Sequence, residues 1–405
     1  MVQIKRMKKT EKLCRQICFK IFSKVEFGAI VIKDSHGTFK FGYNNKANKP
    51  IAIHIREPRV YKTLLLGGTV GAGKGYIDQD WDTDNLQGLI QLFLQNKSLL
   101  NHLDGYFSQF SRLCTAVVYK LTLNTERRAK NNILAHYDLG NEFFKHILDP
   151  QMMYSCAIYE PRGIDLGEAE LKKIQKICSQ LDLKTNHHIL EIGTGWGGFA
   201  LYVAQTYGCK VTTTTISNQQ YAFVKNKIQQ LGLEHQIELM NCDYRKLTGQ
   251  YDRLVSIEMI EAVGHQYLDT FFYHCNHLVK SGGLLLLQAI VINDQAYERA
   301  KNEVDFIKKY IFPGGCLPSV YSISRSISSQ TTMQLNSFED IGQHYVTTLN
   351  DWKKNLLSNS EAIIAQGFSE SFIRMWKFYF DYCAGGFITQ YITAIQALWK
   401  KRSTP

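Results

Sequence analysis

The segment His188-Ile189-Leu190-Glu191-Ile192-Gly193-Thr194-Gly195-Trp196-Gly197-Gly198 decides the fold. Its first five residues are typical of a buried strand, and the glycines that follow open a helix. Glycines at positions 193 and 195 let the backbone approach a ligand, because a Cβ atom there would restrict the torsions and occupy the contact surface. The pattern therefore predicts a ligand-binding turn between a strand and a helix.

Helices and strands alternate on both sides of this turn. We predict helices at 169–183, 199–207 and 219–231 and strands at 188–192 and 210–215. Such alternation is typical of a parallel, doubly wound α/β sheet. The apolar run at 282–292 contains Gln288 and is too short to span a membrane, so it is predicted to be a buried strand.

The charge of the turn argues against a dinucleotide. The glycines lack the GxGxxG spacing, and Glu191 would repel a pyrophosphate beside it. A cationic ligand without phosphate suits this charge, and S-adenosylmethionine is such a ligand, because Glu191 could reach its ammonium group. Another glycine-rich stretch, residues 68–75, resembles a P-loop, but Gly75 stands where Ser or Thr must bind magnesium. Nucleotide hydrolysis is therefore not expected.

Positive charge is concentrated in the first third of the chain. Residues 1–130 contain 22 Lys and Arg against 10 Asp and Glu, whereas residues 131–405 contain 25 against 26, which together give the net charge of +11. This imbalance predicts contact with a polyanion, either nucleic acid or an acidic membrane surface. Leu13, Ile17 and Ile21 recur at helical spacing among lysines, which predicts a basic helix lying against a surface or, equally well, a solvated helix.

Composition and pattern divide the 405 residues into two domains. Residues 1–125, with β-rich runs between 27 and 66 and a helix at 84–100, are predicted to form the smaller, α+β domain, and residues 126–405 the larger domain, which contains the glycine turn. Ten cysteines without a CxxC pair argue against a disulfide scaffold and fit the cytosol. His136 and His265 have no partners at metal-ligand spacing, so no metal site is predicted.

Further segments narrow the interpretation. In chain order they are His136-Tyr137-Asp138-Leu139-Gly140-Asn141-Glu142-Phe143-Phe144, Met153-Tyr154-Ser155-Cys156, the glycine turn, Ile216-Ser217-Asn218-Gln219-Gln220, Asp243-Tyr244-Arg245 and Tyr310-Ile311-Phe312-Pro313-Gly314-Gly315-Cys316-Leu317-Pro318-Ser319. With them, the chain closely resembles the cyclopropane fatty acid synthase family from about residue 60 to residue 395.

The resemblance implies a fold and a reaction. The fold is a seven-stranded S-adenosylmethionine-dependent methyltransferase fold with a smaller N-terminal domain. The reaction transfers a methylene unit from S-adenosylmethionine to the cis double bond of an unsaturated acyl chain, generally in a membrane phospholipid. An alkene is a poor nucleophile, so orientation and desolvation must carry most of the rate. In this family a bound bicarbonate removes a proton from the added methyl group so that the ring can close.

The resemblance also assigns residues to the base. The positions that match the bicarbonate motif are Cys156, Glu261, Ile290 and Tyr345. Cys156 and Ile290 would act through backbone amides, Glu261 would accept a hydrogen bond, and Tyr345 would donate one. Gln288 stands where many members carry a histidine, and its amide can donate to an anion but cannot relay a proton. Without the resemblance, Glu258 and Glu261 would be interpreted as ordinary helix-end carboxylates.

For the cofactor, the resemblance indicates a second set of positions. These are Tyr137 and Ser155 at the methionine end, Glu191, Gly193 and Gly195 in the turn, Gln220 and Tyr244 near the ribose and adenine, and Asp243 as acceptor from the adenine amino group. The strand at 210–215 ends in threonines rather than in the acidic residue usually expected to hold the ribose hydroxyls. Gln220 is expected to replace that residue.

Taken together, these features predict a cytosolic enzyme that docks on the inner face of the membrane through residues 1–125. We expect no nucleic acid partner, because the basic excess lies outside the catalytic domain and no aromatic motif for stacking bases accompanies it. Relatives suggest a homodimer. Two alternatives remain: a fatty acid methyltransferase that produces a methylene or methyl branch, and a non-catalytic lipid-binding protein.

Overall fold

The structure, a computed structural model, describes residues 7–43, 49–96 and 139–403. The helices are α1 (Lys9–Phe22), α2 (Arg59–Ile77), α3 (Leu86–Gln95), α4 (Asn141–Lys145), α5 (Leu166–Gln180), α6 (Gly198–Tyr207), α7 (Asn218–Gln230), α8 (Leu268–Leu278), α9 (Asp294–Ala300), α10 (Phe306–Tyr310), α11 (Val320–Gln330), α12 (Gly342–Ser358), α13 (Ser360–Ala365) and α14 (Glu370–Ile388). The strands are β1 (Ala29–Asp34), β2 (Gly37–Gly42), β3 (Ile51–Ile55), β4 (Trp81–Thr83), β5 (His188–Ile192), β6 (Lys210–Thr215), β7 (Ile237–Asn241), β8 (Tyr251–Ile257), β9 (Val279–Ile292), β10 (Met333–Asp340) and β11 (Ile392–Lys401). The two predicted strands beside the glycine turn are confirmed, and the three predicted helices begin and end within three residues of their expected bounds.

The chain forms two compact units, and the second contains the predicted sheet. The first unit comprises Met1–Leu121, Asn302–Ile311 and Leu356–Tyr391, and the second comprises Thr122–Lys301, Phe312–Asn355 and Ile392–Pro405. The second unit has a seven-stranded sheet in the order β10-β11-β9-β8-β5-β6-β7. The five strands from β9 to β7 are parallel, and β11 and β10 extend one edge in antiparallel fashion. The predicted doubly wound, seven-stranded α/β fold is confirmed.

Both faces of this sheet are buried. Leu190 and Leu254 belong to a core on one side, and their neighbours Ile189 and Val255 belong to a core on the other side. Near-continuous apolar strands are typical of a parallel sheet that is covered by helices on both faces. Burial of each such side chain contributes about 1.5–3 kcal/mol. The central strands therefore form a rigid platform for the loops at their carboxyl ends.

The strand order brings two of these loops together. β5 lies between β6 and β8, so the chain leaves β5 on one side of the sheet and later continues on the other side of it. Ligands of open α/β sheets bind outside the carboxyl ends of the strands at such a reversal. The glycine turn follows β5 directly, and Glu258 follows β8 directly.

The first unit has its own four-stranded sheet, in the order β2-β1-β3-β4, and helices that include α2, α3 and α14. The predicted boundary after residue 125 is corrected in one respect, because residues 302–311 and 356–391 pack with this unit. The ring of Phe378 on α14 lies 5.5 Å from that of Tyr76 and 4.5 Å from that of Phe306. The apolar pattern of α14 predicts burial but does not specify the partner, so sequence alone misses this packing.

The glycine-rich stretch at 68–75 lies inside α2, which is kinked at Gly68. A Cβ atom on Gly71 would lie 1.9 Å from the Thr63 carbonyl oxygen, and one on Gly73 would lie 2.3 Å from the Phe306 ring. These glycines therefore permit close packing. The stretch is not a phosphate-binding loop, and the β-rich pattern predicted up to residue 66 ends at β3, because α2 begins at Arg59.

The basic helix predicted near the N-terminus is α1. Cys18, Ile21 and Phe22 are buried within the first unit, whereas Leu13 is 58% exposed and Lys8 and Lys9 are exposed. One face of α1 thus packs on its own unit, and the cations remain outside. Among the helices of the described residues, none is both long and apolar enough to cross a bilayer.

Candidate active site

The glycine turn is fixed against the neighbouring strand. The backbone amides of Gly193 and Thr194 both donate to the Thr214 carbonyl oxygen, at 3.1 and 2.9 Å. Gly193 and Gly195 have φ values of +102° and +53°, a region that glycine adopts at no steric cost. The turn therefore needs glycines for its backbone conformation, as predicted.

The same turn borders space that a ligand would occupy. A Cβ atom built on Gly195 would meet no protein atom within 4 Å. The Thr194 hydroxyl is buried and has no hydrogen-bond partner among the described residues. Buried polar groups are rarely left without a partner, so this hydroxyl indicates a polar ligand at the turn. Both observations fit the S-adenosylmethionine predicted for this position.

Glu191 lies at the end of β5 and is only 3% exposed. The Thr213 hydroxyl on β6 donates to its Oε2 atom at 2.5 Å. Burial raises the pKa of Glu191 to about 8, although the Thr213 hydrogen bond opposes this shift. A cation nearby would favour the ionised form, which is consistent with the cationic ligand expected here.

Three predicted cofactor residues lie at the carboxyl ends of β6 and β7. Gln220 is buried and accepts a hydrogen bond from the Thr215 hydroxyl at 2.8 Å. Asp243 accepts from Nε and a terminal nitrogen of Arg245 at 2.8 and 2.7 Å, and these bonds help to lower its pKa despite burial. The buried Tyr244 hydroxyl lacks a hydrogen-bond partner in the described part of the chain. Asp243 would therefore have to share its carboxylate between Arg245 and an adenine amino group.

The remaining two predicted cofactor residues are Tyr137 and Ser155. Tyr137 lies outside the described residues. Ser155 is buried, and its Oγ accepts a hydrogen bond from Nζ of Lys173 at 2.6 Å. Lys173 also forms an ion pair with Glu170, and both side chains are fully buried. This pair was not predicted, although its place on the buried face of α5 among Ala169, Ile174 and Ile177 is a signal that the sequence offers.

The residues assigned to the base lie together with Glu258, which was not assigned to it, at the end of β8, and we call this group the carboxylate centre. Its members are Cys156, Glu258, Glu261, Gln288, Ile290 and Tyr345. A Cβ atom on Gly193 would lie 3.1 Å from the side chain of Met259, which stands between the two glutamates. The carboxylate centre and the glycine turn are therefore adjacent.

Within the centre, Glu258 accepts the hydrogen bonds that the resemblance assigns to bicarbonate. The Cys156 amide and Nε2 of Gln288 donate to its Oε1 atom at 2.8 and 2.9 Å. The Tyr345 hydroxyl donates to Oε2 at 2.5 Å. Burial raises the pKa of Glu258, and these three hydrogen bonds act in the opposite direction.

Glu261 accepts a hydrogen bond from the Ile290 amide, the remaining donor that the resemblance assigns to bicarbonate. The Ile290 amide donates to its Oε1 atom at 2.5 Å, and its backbone carbonyl accepts from the Cys316 amide at 2.8 Å. Its Oε2 atom is buried and has no partner within the described ranges. Burial, together with the charge of Glu258, raises the pKa of Glu261 to about 8.

A separate bicarbonate ion does not fit this arrangement. The predicted donors Cys156, Gln288 and Tyr345 are engaged by Glu258, and the Ile290 amide is engaged by Glu261. A further anion would also lie beside two carboxyl groups. The predicted bicarbonate site is therefore corrected, because a carboxylate of the chain already takes these hydrogen bonds.

Two other expectations concern single residues of the centre. Burial raises the pKa of the Cys156 thiol well above its usual value, which fits the backbone role predicted for this residue. The sequence alone would suggest an ordinary helix-end carboxylate at Glu258, whereas in the structure this residue accepts three hydrogen bonds within the carboxylate centre. The signal available in the sequence was its position directly after a buried parallel strand, where catalytic groups of α/β sheets often lie.

Comparison with known proteins identifies the family. Residues 124–397 match the family described as mycolic acid cyclopropane synthetase. The chain is 35% identical to the cyclopropane-fatty-acyl-phospholipid synthase of Escherichia coli strain K12 over 353 aligned residues. The alignment covers 87% of this chain and 88% of that protein. The chain is also 31% identical to the tuberculostearic acid methyltransferase of Mycobacterium tuberculosis over 337 aligned residues. This alignment covers 81% of this chain and 78% of that protein.

Solved structures agree with this similarity. A mycolic acid cyclopropane synthase complexed with SAH and CTAB superposes with a TM-score of 0.63 at 29% identity, covering 67% of this chain and 98% of that chain. Coclaurine N-methyltransferase, at 20% identity and a TM-score of 0.62, shares the fold. On this evidence the chain belongs to the cyclopropane fatty acid synthase family of S-adenosylmethionine-dependent methyltransferases.

Proposed function

We propose that this chain is a cyclopropane fatty acid synthase that acts on the cis double bond of unsaturated acyl chains in membrane phospholipid. The observation that carries the proposal is the adjacency of the glycine turn and the carboxylate centre. Met259 touches the space beside Gly193, so a methyl donor at the turn would lie next to a base. Ring formation requires a methyl donor and a base that lie side by side.

The residues around the turn would hold S-adenosylmethionine. Gly195 leaves room for it, the Thr194 hydroxyl offers a hydrogen bond, and the Glu191 carboxylate suits its positive charge. When bound, the cofactor supplies an electrophilic methyl group on a sulfonium. The buried Lys173 would keep Ser155 in place through its 2.6 Å hydrogen bond.

A direct assay tests this proposal. The full chain is incubated with vesicles of unsaturated phosphatidylglycerol or phosphatidylethanolamine and methyl-labelled S-adenosylmethionine, and the acyl chains are analysed by mass spectrometry. We expect label in a cyclopropane ring at the position of the former double bond. Unchanged lipid would favour a non-catalytic lipid-binding protein and contradict the proposal.

A second candidate is a fatty acid methyltransferase that makes a methylene or methyl branch. It is favoured by the 31% identity to a tuberculostearic acid methyltransferase and by Gln288, which cannot relay a proton as a histidine can. A ring and a methylene branch have equal mass but fragment differently. Fragmentation of the labelled product therefore separates the two activities.

The proposal includes docking of a cytoplasmic enzyme on an anionic membrane surface through the basic N-terminal region. Lys8 and Lys9 are exposed at the start of α1, while Lys5 and Arg6 lie outside the described residues. Each Lys or Arg near such a surface contributes about 1 kcal/mol to binding. Replacing these four residues by Gln should therefore weaken binding to anionic vesicles and reduce its dependence on salt.

A matched control replaces exposed lysines of α7. Lys225→Gln and Lys227→Gln remove positive charge from the second unit, and vesicle binding should change little. Sedimentation of vesicles at several salt concentrations measures both variants. Equal losses in the two variants, or binding that does not respond to salt, would contradict docking through the N-terminal region.

A further inference from the structure

Glu258 places a carboxylate of the chain on the donors that would otherwise bind an inorganic base. We propose that Glu258 is the built-in base of this enzyme and that ring formation requires no bicarbonate. The proposal deepens the cyclopropane synthase function and rests on it. It assigns the proton that leaves the transferred methyl group to the Glu258 carboxylate.

The hydrogen bonds around Glu258 are those of an ionised group. Both oxygens accept, from the Cys156 amide and Gln288 on one side and from the Tyr345 hydroxyl on the other. Carboxylates that accept several hydrogen bonds are favoured in the charged form. Cys156, Gln288 and Tyr345 are buried, whereas Glu258 keeps a partly exposed surface. The three donors thus fix the carboxylate through both of its oxygens.

The backbone of Glu258 shows that this placement has a cost. Its φ is +49°, in the left-handed region that residues other than glycine rarely adopt. Its own amide donates to the Gln288 carbonyl oxygen at 2.8 Å, which continues the pairing of β8 with β9 by one residue. Strained backbone of this kind persists where the surroundings enforce it, and it occurs most often at functional sites.

The two glutamates of the centre are held in different states. Glu258 has three donors, whereas Glu261 has the Ile290 amide on one oxygen and no partner for the other in the described structure. The charge of one carboxylate disfavours the charge of the other, and the pKa of Glu261 is raised to about 8. Burial raises the pKa of Glu258 as well, but its three hydrogen bonds favour its ionised form over that of Glu261, and the ionised form is the state that a base needs.

The glutamine at position 288 also has a place in this arrangement. Nε2 of Gln396 donates to Oε1 of Gln288 at 2.9 Å, so Nε2 of Gln288 points to Glu258. An amide fixed in this way stabilises the carboxylate without taking a proton. A histidine that relays a proton is not needed when the base belongs to the chain.

The reaction balances with Glu258 as acceptor. The π electron pair of the alkene forms a bond to the methyl carbon while the bond from that carbon to sulfur breaks, and sulfur keeps the electron pair. The second alkene carbon is then electron-deficient. A Glu258 oxygen takes a proton from the added methyl group, and the released C–H pair forms the second ring bond. The protonated Glu258 returns its proton to water before the next turnover.

The test measures ring formation by the full chain in buffer depleted of carbon dioxide and in the same buffer with added bicarbonate. For the wild type we expect equal rates in both. Glu258→Gly removes the carboxylate at a backbone position that suits glycine, and we expect its rate to fall roughly 10²- to 10⁴-fold, the range for loss of a general base. Added bicarbonate or formate should restore part of this rate, since the Cys156 and Tyr345 donors become available.

Two further variants make the result specific. Glu258→Gln fills the same space without a basic oxygen, so we expect a similar loss that anions do not restore. Glu298→Gln, on the exposed surface of α9, should behave as wild type. Binding of S-adenosylhomocysteine by calorimetry, with little change expected in all variants, verifies that each is folded.

The possible failures can be distinguished. A wild-type rate that rises severalfold with bicarbonate, or a Glu258→Gly rate equal to that of wild type without it, would overturn the role of Glu258 while leaving the synthase function intact. A wild-type chain that binds the cofactor but forms no ring under either condition would instead refute the proposed function, and with it the base.

Discussion

The glycine turn after β5 and the carboxylate centre after β8 lie side by side but differ in how their polar groups are satisfied. At the turn, the Thr194 hydroxyl is buried without a partner in the described residues, and Gly195 borders open space. In the carboxylate centre, both oxygens of Glu258 accept hydrogen bonds from the protein.

This difference distinguishes the glycine turn, where a ligand must bind, from the carboxylate centre, where a side chain of the protein accepts the hydrogen bonds. A buried hydroxyl without a partner costs about 1–3 kcal/mol, so the turn is complete only with a ligand. The hydrogen-bond donors of the carboxylate centre already have carboxylate acceptors in the protein, whereas Oε2 of Glu261 has no partner within the described residues. This contrast is the basis of our proposal that the enzyme takes its methyl donor from solution and carries its own base.

The largest expected effect concerns the turn. Gly195→Val would fill the space that the ligand needs and should weaken S-adenosylhomocysteine binding about 100-fold or more, which corresponds to about 2.8 kcal/mol. Isothermal titration calorimetry measures this affinity. Gly232→Val is the matched control, because Gly232 has a similar φ of +65° and also no atom near an added Cβ, but follows α7 at a distance from the turn in sequence. An unchanged affinity of Gly195→Val would remove the turn from the cofactor site.

A second prediction compares the two glutamates. Because burial and the charge of Glu258 favour the protonated form of Glu261, a neutral glutamine resembles it, and Glu261→Gln should reduce turnover by about 10-fold or less. Glu258→Gln should reduce turnover by about 100-fold or more. Single-turnover assays with labelled cofactor measure both. A larger loss in Glu261→Gln would show that the roles of the two residues are reversed.

The smallest effect is a shift in pH dependence. Tyr345→Phe removes a hydrogen bond that favours the ionised form of Glu258, so the pKa of Glu258 should rise further. Since the base acts when ionised, the acid limb of the kcat/KM profile should move to higher pH, and the rate should fall a few-fold at pH 7 and recover above it. Tyr251→Phe, whose hydroxyl bonds to the Thr248 carbonyl oxygen, is the control. A uniform loss at every pH would contradict this role of Tyr345.

The fold and the turn could be predicted from the sequence because their determinants are local. The strand, the glycines and the helix at 188–207 are contiguous, and the observed bounds differ little from the predicted ones. The role of Glu258 could not be predicted in this way. Its donors Cys156 and Tyr345 lie 102 and 87 positions away, and only the order of the strands brings them to one carboxylate.

The packing of the first unit illustrates the same limit. The apolar face of α14 is evident from the sequence. The residues that α14 contacts near Tyr76, however, lie almost 300 positions earlier in the chain. Burial can be predicted from periodicity, whereas the identity of the partner depends on tertiary packing. For the same reason Gly75 could exclude a phosphate-binding loop from the sequence alone, whereas the close packing of Gly71 and Gly73 could not be predicted.

The most direct measurement is a crystal structure of the enzyme with S-adenosylhomocysteine, grown in the presence of bicarbonate. We expect the ligand at Gly193 and Gly195, and the Glu258 carboxylate within hydrogen-bond distance of the Cys156 amide and the Tyr345 hydroxyl. A planar inorganic anion on these donors, with Glu258 turned away, would contradict a base that belongs to the chain.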